Sequence, residues 1–542
     1  MRKILFVFLL VLCTGVVSFA QINQSNINQV GVDNSSTVEQ VGIFNINDIY
    51  QNGTDNIAEV TQYGFLNMSF LEQYGFGNEY YATQSRSNFS NAYQLGWDNY
   101  ISVWQKGANS SFVTQFIGME NSAVVKQFGR NLSEVNQFFS YKESANVFQS
   151  GWLNYSNILQ TGSYDVAKVS QWGTLNVSDI DQLNTFANAA LVSQNGSFND
   201  AKIYQKSGQN NNAEIYQEGK NNSAFIEQMY VGNDNNAVAI QKGNSNTVKT
   251  EQYGGSLNNS YVDQKGNGND AYSYQGAGSD NLIEINQEKK NNYAYAAQRM
   301  GNNNEISITQ HGNANYGAVY QNEGSYNYGM IDQRGKANYA NIEQVGGELN
   351  WSLVTQRGKM NKANVLQNGG YFNTAEVEQY GQENEAMITQ VDGSFSDAYI
   401  GQEGKSNEAE ILQVDNYASY AGVAQLGNEN YAYIEQFETS NTFAGIIQVG
   451  NGNAAGIGQY EVDNSYALIQ QYGDDNEAVS IQAYGENNVA VTTQIGAENM
   501  SYTEQIGSNN TVSVYQNGFG HSSIVTQYGN GNTATVSQYN GF

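Results

Sequence analysis

The sequence predicts an all-β protein, a cross-β solenoid of about 23 two-strand coils with 22–23 residues per coil. Three observations lead to this prediction. Forty-six glutamines recur from Gln29 to Gln538, mostly 11 or 12 residues apart; most of them follow an asparagine by six residues; and the 542 residues include no proline. A short period kept along a chain is typical of stacked repeats rather than of separate globular domains. Because proline cannot donate a backbone hydrogen bond, its absence suits a chain whose strands almost all have neighbours on both sides.

The first 20 residues are predicted to form a secretory signal peptide. Arg2 and Lys3 precede an apolar run over residues 4–17, and Ala20 marks the expected cleavage site. A membrane anchor is the alternative, but the run is shorter than the ~20 residues that span a bilayer. The single cysteine, Cys13, lies in this segment, so the mature chain is expected to have no disulfide. The predicted repeat array covers residues 21–542, and the protein is expected to be secreted.

The repeat unit has the alternation of a β-strand. Counting by two from Asn304 gives Ile306, Ile308 and Gln310, and the same count from Asn315 ends at Gln321. One face of each strand therefore has asparagine, a small or apolar residue, isoleucine or valine, and then glutamine, whereas the other face is mixed and polar. A glycine-containing turn of about four residues is predicted after each strand of about seven residues.

The asparagines and glutamines are predicted to point inward. A buried glutamine without partners costs about 1–3 kcal/mol. In coils stacked in register at ~4.8 Å, each amide can bond to its copies above and below, so that this cost disappears. The predicted ladder residues in the best-defined repeats are Asn304, Gln310, Asn315, Gln321, Asn384, Gln390, Asn407 and Gln413. The predicted turn glycines are Gly312, Gly324, Gly381 and Gly404.

The intervals between glutamines define the coil. From Gln182 to Gln494 they alternate between 12 and 11, with one interval of 13, so units two apart match and a coil has two strands and two turns. At ~4.8 Å per coil the rod would be about 110 Å long. Between Gln84 and Gln149 the spacing is irregular. A distorted part of the same solenoid is predicted there, with a separate small domain as the alternative. Both terminal coils are expected to expose open ladder edges, which template the addition of strands.

Composition and motifs argue against an enzyme and against nucleic acid as a partner. The 23 Lys and Arg are outnumbered by 51 Asp and Glu, for a formal charge of −28. The two histidines, His311 and His521, are interpreted as substitutions in a turn and at an asparagine position. No cofactor and no metal is predicted, with Ca²⁺ at an acidic turn such as 474–476 as the alternative. Outward aromatic residues are interpreted as sheet formers or as an adhesive surface: Trp104, Tyr216 and Tyr320.

The unit resembles the curlin repeat of bacterial curli fibre subunits. The segments that carry the resemblance are NSAFIEQ over residues 222–228, NEAMITQ over 384–390 and NEAEILQ over 407–413, with QEGKSN over 402–407 as the linking turn. The resemblance implies an extracellular functional amyloid of the biofilm matrix. Its partners would be further copies of the same chain, a curli-type outer-membrane secretion pore and a nucleator subunit. Curlin subunits have only a handful of coils, whereas about 23 are predicted here. The alternative is a monomeric surface adhesin or ligand-binding solenoid that does not polymerise.

Overall fold

The computed structural model describes residues 22–230 and 232–540, and this part of the chain consists of 44 β-strands without a helix. The predicted signal peptide, Cys13 and Ala20 lie outside the described residues. The described part contains no helix that is long and apolar enough to cross a membrane.

The strands follow one another through the chain with short connections. The first half consists of β1 (Gln24–Val32), β2 (Ser35–Ile43), β3 (Ile46–Thr54), β4 (Ile57–Phe65), β5 (Met68–Phe76), β6 (Glu79–Ser85), β7 (Phe89–Trp97), β8 (Tyr100–Gly107), β9 (Ser110–Met119), β10 (Ser122–Phe138), β11 (Ser144–Ser163), β12 (Val166–Thr174), β13 (Val177–Phe186), β14 (Ala189–Ser197), β15 (Asp200–Gln209), β16 (Asn212–Lys220), β17 (Ser223–Met229), β18 (Asn236–Asn244), β19 (Thr247–Tyr253), β20 (Asn259–Asn267), β21 (Asp270–Gln275) and β22 (Leu282–Lys290). The second half consists of β23 (Tyr293–Asn302), β24 (Glu305–Asn313), β25 (Tyr316–Ser325), β26 (Tyr328–Lys336), β27 (Tyr339–Val345), β28 (Trp351–Lys359), β29 (Lys362–Asn368), β30 (Thr374–Gln382), β31 (Glu385–Val391), β32 (Asp397–Lys405), β33 (Glu408–Val414), β34 (Tyr420–Asn428), β35 (Tyr431–Phe437), β36 (Phe443–Asn451), β37 (Ala454–Asp463), β38 (Tyr466–Asp474), β39 (Glu477–Glu486), β40 (Val489–Ala497), β41 (Met500–Ile506), β42 (Thr511–Phe519), β43 (Ser522–Tyr528) and β44 (Thr533–Tyr539).

The strands form two parallel, in-register stacks. Each strand pairs with the strand two further along the chain, as when β24 pairs with β26 and places Gln310 opposite Gln333. β10 and β11 each run through two repeat units and supply one segment to each stack. Because β10 and β11 count twice, the 44 strands supply one segment for each of the 46 periodic glutamines, in a β-solenoid of about 22 to 23 turns. The predicted fold class and two-strand coil are confirmed.

The core between the two stacks is thin and mostly made of small and branched residues. In β24, Ile306 and Ile308 are fully buried, and the row continues as Ala, Val and Ile from Ile49 to Ala478. A second apolar cluster of Val512, Val514 and Val525 lies near the C-terminal end. Each coil adds two strands with inward apolar side chains. The free energy gained by burying Ile or Val, about 1.5–3 kcal/mol per side chain, therefore accumulates with the number of coils.

The turns are shorter than the sequence predicted. Most strands have seven or nine residues, because many ladders continue through the turn glycine instead of ending at the glutamine. Gly381 remains paired with Gly404 at a φ of 120°, and a residue in the left-handed region, such as Glu383 at 58°, completes the corner. A Cβ atom on Gly381 would lie 2.0 Å from the carbonyl oxygen of Gly404. Only glycine fits there, because stacked turns bring backbone against backbone.

The irregular segment between Gln84 and Gln149 lies in the same two stacks. Its strands β6–β11 keep parallel pairing with their neighbours. The irregular spacing appears as shifts of register in the turns, between Leu95 and Gly96 and between Arg130 and Leu132. The extra or missing residues are thus accommodated at corners, where the ladder tolerates a bulge, and not within the core-facing part of a strand.

Candidate functional site: the amide ladders and the terminal coils

The glutamines form continuous chains of hydrogen bonds along the rod. Gln310 is fully buried, and its Nε2 donates to Oε1 of Gln333 at 2.9 Å and to the carbonyl oxygen of Tyr293 at 2.9 Å. Its own Oε1 accepts a hydrogen bond from Nε2 of Gln287 at 2.9 Å. Both hydrogens of the amide and its oxygen therefore have partners, which removes the usual penalty for a buried polar group.

The second stack repeats this arrangement at Gln321. Its Nε2 lies 2.7 Å from Oε1 of Gln344, 3.1 Å from the carbonyl oxygen of Glu305 and 3.0 Å from that of Asn327. The bond to Asn327 joins the end of one strand to the start of the next. The glutamine thus ties successive coils together and also closes its own corner.

The asparagine ladder runs in the opposite direction. The backbone N–H and Nδ2 of Asn315 both donate to Oδ1 of the preceding Asn292, at 3.1 and 3.2 Å. Asn304 likewise donates its N–H to Oδ1 of Asn281 at 3.0 Å. Glutamine side chains thus donate to the glutamine of the C-terminal neighbour, whereas asparagines donate to the side-chain oxygen of the asparagine in the N-terminal neighbour; the asparagine amide also reaches a turn carbonyl of the following coil, as Asn315 does to Gly335 at 3.5 Å. Each coil therefore has two chemically different faces.

The remaining predicted ladder residues occupy equivalent places. Gln390 donates to Oε1 of Gln413 at 2.8 Å, and the N–H of Asn407 donates to Oδ1 of Asn384 at 3.1 Å. All four side chains are buried. Several buried positions in the asparagine row carry another polar residue, so that a count of asparagines alone does not identify them: Glu143, Asp165, Ser396, Ser419, Thr442 and Ser465. Their place six residues before a periodic glutamine is the signal that identifies them.

The terminal coils have one paired edge each. Among the described residues, β1 pairs only with β3 and β2 only with β4, while β43 pairs only with β41 and β44 only with β42. At the N-terminal end, Gln29 donates to Oε1 of Gln51 at 2.7 Å and presents its own Oε1 outward. At the C-terminal end, Nε2 of Gln538 donates to the carbonyl oxygen of Ser522 at 2.9 Å. No further glutamine among the described residues stacks on Gln538.

Aromatic residues stack along the outer faces. The rings of Tyr293, Tyr316 and Tyr339 are 5.1 and 4.8 Å apart and within 8° of parallel. Of the predicted outward residues, Trp104 packs edge-on against Phe128, and Tyr320 lies beneath the guanidinium of Arg299. The Tyr216 hydroxyl donates to Glu214 at 2.6 Å, and burial together with this carboxylate raises its pKa to about 12.

The histidines lie where the repeat pattern placed them. His311 follows Gln310 in the turn region, where its Nδ1 is 2.5 Å from a carboxylate oxygen of Glu288. His521 lies in the asparagine row and donates its backbone N–H to Oδ1 of Asn499 at 3.1 Å. Within residues 22–230 and 232–540, no cluster of three or more His, Cys, Asp or Glu side chains has the arrangement of a metal site.

The family model of the curlin associated repeat matches seven segments of the chain. The matched segments are residues 47–75, 53–85, 208–243, 278–312, 301–335, 373–404 and 507–539. They begin near the N-terminal coils and end in β44. A search of the curated proteins finds no match.

Proposed function

Because this chain is a curlin-repeat protein with a β-solenoid fold, we propose that it is a secreted structural subunit that assembles end to end into curli-like amyloid fibres and mediates adhesion in the extracellular matrix. The observation that carries this proposal is the pair of open terminal coils, whose free edges match each other. A second copy could continue both stacks with the same pairing that joins successive coils within one chain.

The amide ladders give this assembly a direction. The C-terminal coil offers Gln538 as a donor, and the N-terminal coil offers the oxygens of Gln29 and Gln40 as acceptors. Contact of two N-terminal coils would instead oppose oxygen to oxygen. Head-to-tail stacking is therefore the arrangement in which both glutamine rows continue, and it yields a polar fibre that grows by heterologous contacts.

The terminal strands lack the features that normally protect a sheet edge. Soluble β proteins place charges or proline on edge strands to prevent pairing with other chains. Here β1, β43 and β44 contain no charged residue and β2 contains only Glu39, although the whole chain has a formal charge of −28. The acidic residues of the lateral faces oppose side-by-side association, whereas the ends remain available for stacking.

The similarity to the curlin repeat also suggests partner proteins and an export route. We expect the chain to cross the inner membrane by its signal peptide, to leave through a curli-type outer-membrane pore, and to begin polymerising on a nucleator. Its assignment as major subunit or accessory protein depends on whether it forms fibres without other components.

Assembly of purified residues 21–542 tests this proposal. On standing, the protein should gain thioflavin T fluorescence and give fibre diffraction with the ~4.8 Å and ~10 Å spacings of a cross-β structure. Sonicated fibres used as seeds should shorten the lag. A protein that remains monomeric by sedimentation for days with seeds present would reject the proposal and favour the non-polymerising adhesin.

A further inference from the structure

Two acidic residues interrupt the asparagine row of one stack. The row runs from Asn121 through Glu143 and Asp165 to Asn188, one residue per coil. Glu143 is 1% exposed and Asp165 is 0% exposed. Parallel stacking therefore places two carboxyl groups above one another at the edge of a dry core, within hydrogen-bonding reach.

The two carboxyl groups differ in their partners. Asp165 accepts the Thr185 hydroxyl at 2.7 Å and the N–H of Asn188 at 2.8 Å. Neither buried oxygen of Glu143 accepts a hydrogen bond from an N–H group or hydroxyl of the described residues, and the buried hydroxyl of Ser140 in the same turn also has no partner there. An asparagine in the row donates its amide to a carbonyl of the following coil, as Asn121 does to Ser140 at 3.3 Å, which a carboxylate cannot do.

Among the described residues, no cationic side chain pairs with either of these carboxyl groups. Lys142 is adjacent in sequence but points outward, to Glu120 at 3.3 Å and over the Tyr141 ring. Within residues 22–230 and 232–540, neither Glu143 nor Asp165 takes part in an ion pair. Two buried carboxylates without a counter-charge are strongly unfavourable.

We propose that Glu143, Asp165 and Ser140 form a binding site for one divalent cation of the calcium class. The site offers only oxygen donors: two carboxylates, of which Glu143 has both oxygens free, and an unpartnered hydroxyl. Hard cations such as Ca²⁺ take six to eight oxygen ligands, including bidentate carboxylates. Water completes the set. The ion neutralises the pair and links two consecutive coils.

An open surface groove lies next to the proposed site. Ser140 and Gly162 line an open groove of about 870 Å³ on the surface, together with Trp97, Met119 and Phe139. This groove lies over the turns of the irregular segment, where the register shifts described above loosen the stacking. The ion would thus stabilise the coils that have the least regular ladder.

Equilibrium dialysis of residues 21–542 against Ca²⁺ in about 0.15 M salt tests this inference, because salt at this strength screens weak binding to surface acids. The full chain should retain about one ion. The variant Glu143→Asn/Asp165→Asn should lose it, and because both changes restore the residue of the repeat, this variant should fold. The control Asp474→Asn/Asp475→Asn removes the same charge from an exposed turn and should retain the ion.

Thermal unfolding supplies a second readout. Calcium should raise the unfolding temperature of the wild-type protein relative to EDTA, and should leave the Glu143→Asn/Asp165→Asn variant unchanged. Equal retention of calcium by the wild type and this variant, including none by either, would overturn the proposal. A wild-type protein that unfolds at the same temperature in calcium and EDTA would overturn it as well, and would indicate that the two carboxyl groups share a proton instead. Dialysis does not depend on whether the chain is assembled, so the result is separable from fibre formation.

Discussion

At the scale of single residues, the periodic amides combine two tasks that are usually separate. A glutamine such as Gln321 fills the edge of the core, and its hydrogen bonds set the vertical register of the coils. An apolar residue could do the first task only. Because every ladder glutamine between the terminal coils bonds to its copies on both sides, the benefit depends on the neighbours also being glutamine. This mutual dependence explains why one residue type persists through 46 positions.

Replacing one ladder glutamine should therefore cost more than replacing an outward aromatic residue. Gln321→Leu leaves Oε1 of Gln344 and the carbonyl of Glu305 without their donor, which should destabilise the local coils by about 2–4 kcal/mol. Tyr320→Leu, its neighbour on the outer face, should cost less than about 1 kcal/mol. Hydrogen exchange of the amides in β23, β25 and β27 measures both. Equal loss of protection in the two variants would contradict the assigned facing.

The turn glycines should be as sensitive as the glutamines. Gly381→Ala places a methyl group 2.0 Å from the carbonyl of Gly404 at a φ of 120°, so the turn must open. We expect a loss of several kcal/mol, of the order of a badly overpacked site. Gly520→Ala is the matched control, because Gly520 has a φ of 69° and no atom within 4 Å of the added methyl group. It should lose only about 1–2 kcal/mol from backbone strain. Urea unfolding of the monomer distinguishes the two.

One outward carboxyl group predicts a pH dependence. Burial, followed by the charge of Asp179, raises the pKa of Asp181 to about 6. The folded chain holds this proton more tightly than the unfolded chain, in which an aspartate titrates near ~3.9. Its contribution to stability is thus complete below pH ~4 and is lost as the pH rises through about 6.

Asp181→Asn removes this titration. The unfolding free energy of the variant should rise relative to the wild type between pH 4 and pH 7, as measured by urea unfolding of freshly prepared monomer. A constant difference between the two proteins over this range would show that Asp181 does not titrate as described.

At the scale of the strand, the direction in which each backbone N–H group donates distinguishes the N-terminal from the C-terminal edge of a stack. The first outward residue of a strand donates its N–H to the following coil, as Thr511 does to the carbonyl of Asn532 at 2.7 Å. Ser522 and Thr533 hold the same position in β43 and β44. Their N–H groups therefore face the open C-terminal edge, where a further copy would add.

Proline at these two positions should block growth without disrupting the fold. Ser522→Pro/Thr533→Pro removes two donors that have no partner in the described chain, at the first residue of each strand, where proline is tolerated. Circular dichroism should remain that of the wild type, while elongation from seeds should slow at least tenfold. Ser522→Ala/Thr533→Ala is the control and should elongate normally. Normal growth of the proline variant would exclude this edge as the growing face.

Most of the strand pattern was accessible from the sequence, but the corners were not. The period-two alternation around Gln310 and the 12/11 intervals depend only on local spacing, so the facing of the strands and the size of the coil could be predicted. The continuation of the ladder through Gly381 depends on contact with Gly404 in the next coil, which no local pattern reveals. The stacking of Glu143 on Asp165 became visible only when the coils were aligned, because the two residues are 22 positions apart.

At the scale of the whole molecule, the described chain is a rod with a dry interior, charged sides and two open ends whose edges match. Charged residues lie along the sides of this chain of formal charge −28, which disfavours side-by-side contact, whereas the terminal strands β1, β2, β43 and β44 contain only Glu39. A chain of about 23 coils is itself about 110 Å long, so few junctions are needed per length of fibre. In the proposed fibre, most of the length therefore lies within single chains, and only their ends have to pair.

The mass per unit length of the fibres tests this central claim most directly. Head-to-tail stacking of a 59.6 kDa chain, less its predicted signal peptide, should give about 0.5 kDa per Å, or a whole multiple of this value for bundled filaments. Scanning transmission electron microscopy of unstained fibres measures it. A value near 0.5 kDa per Å is the predicted result. A value that is not a multiple of it would contradict end-to-end stacking of intact solenoids.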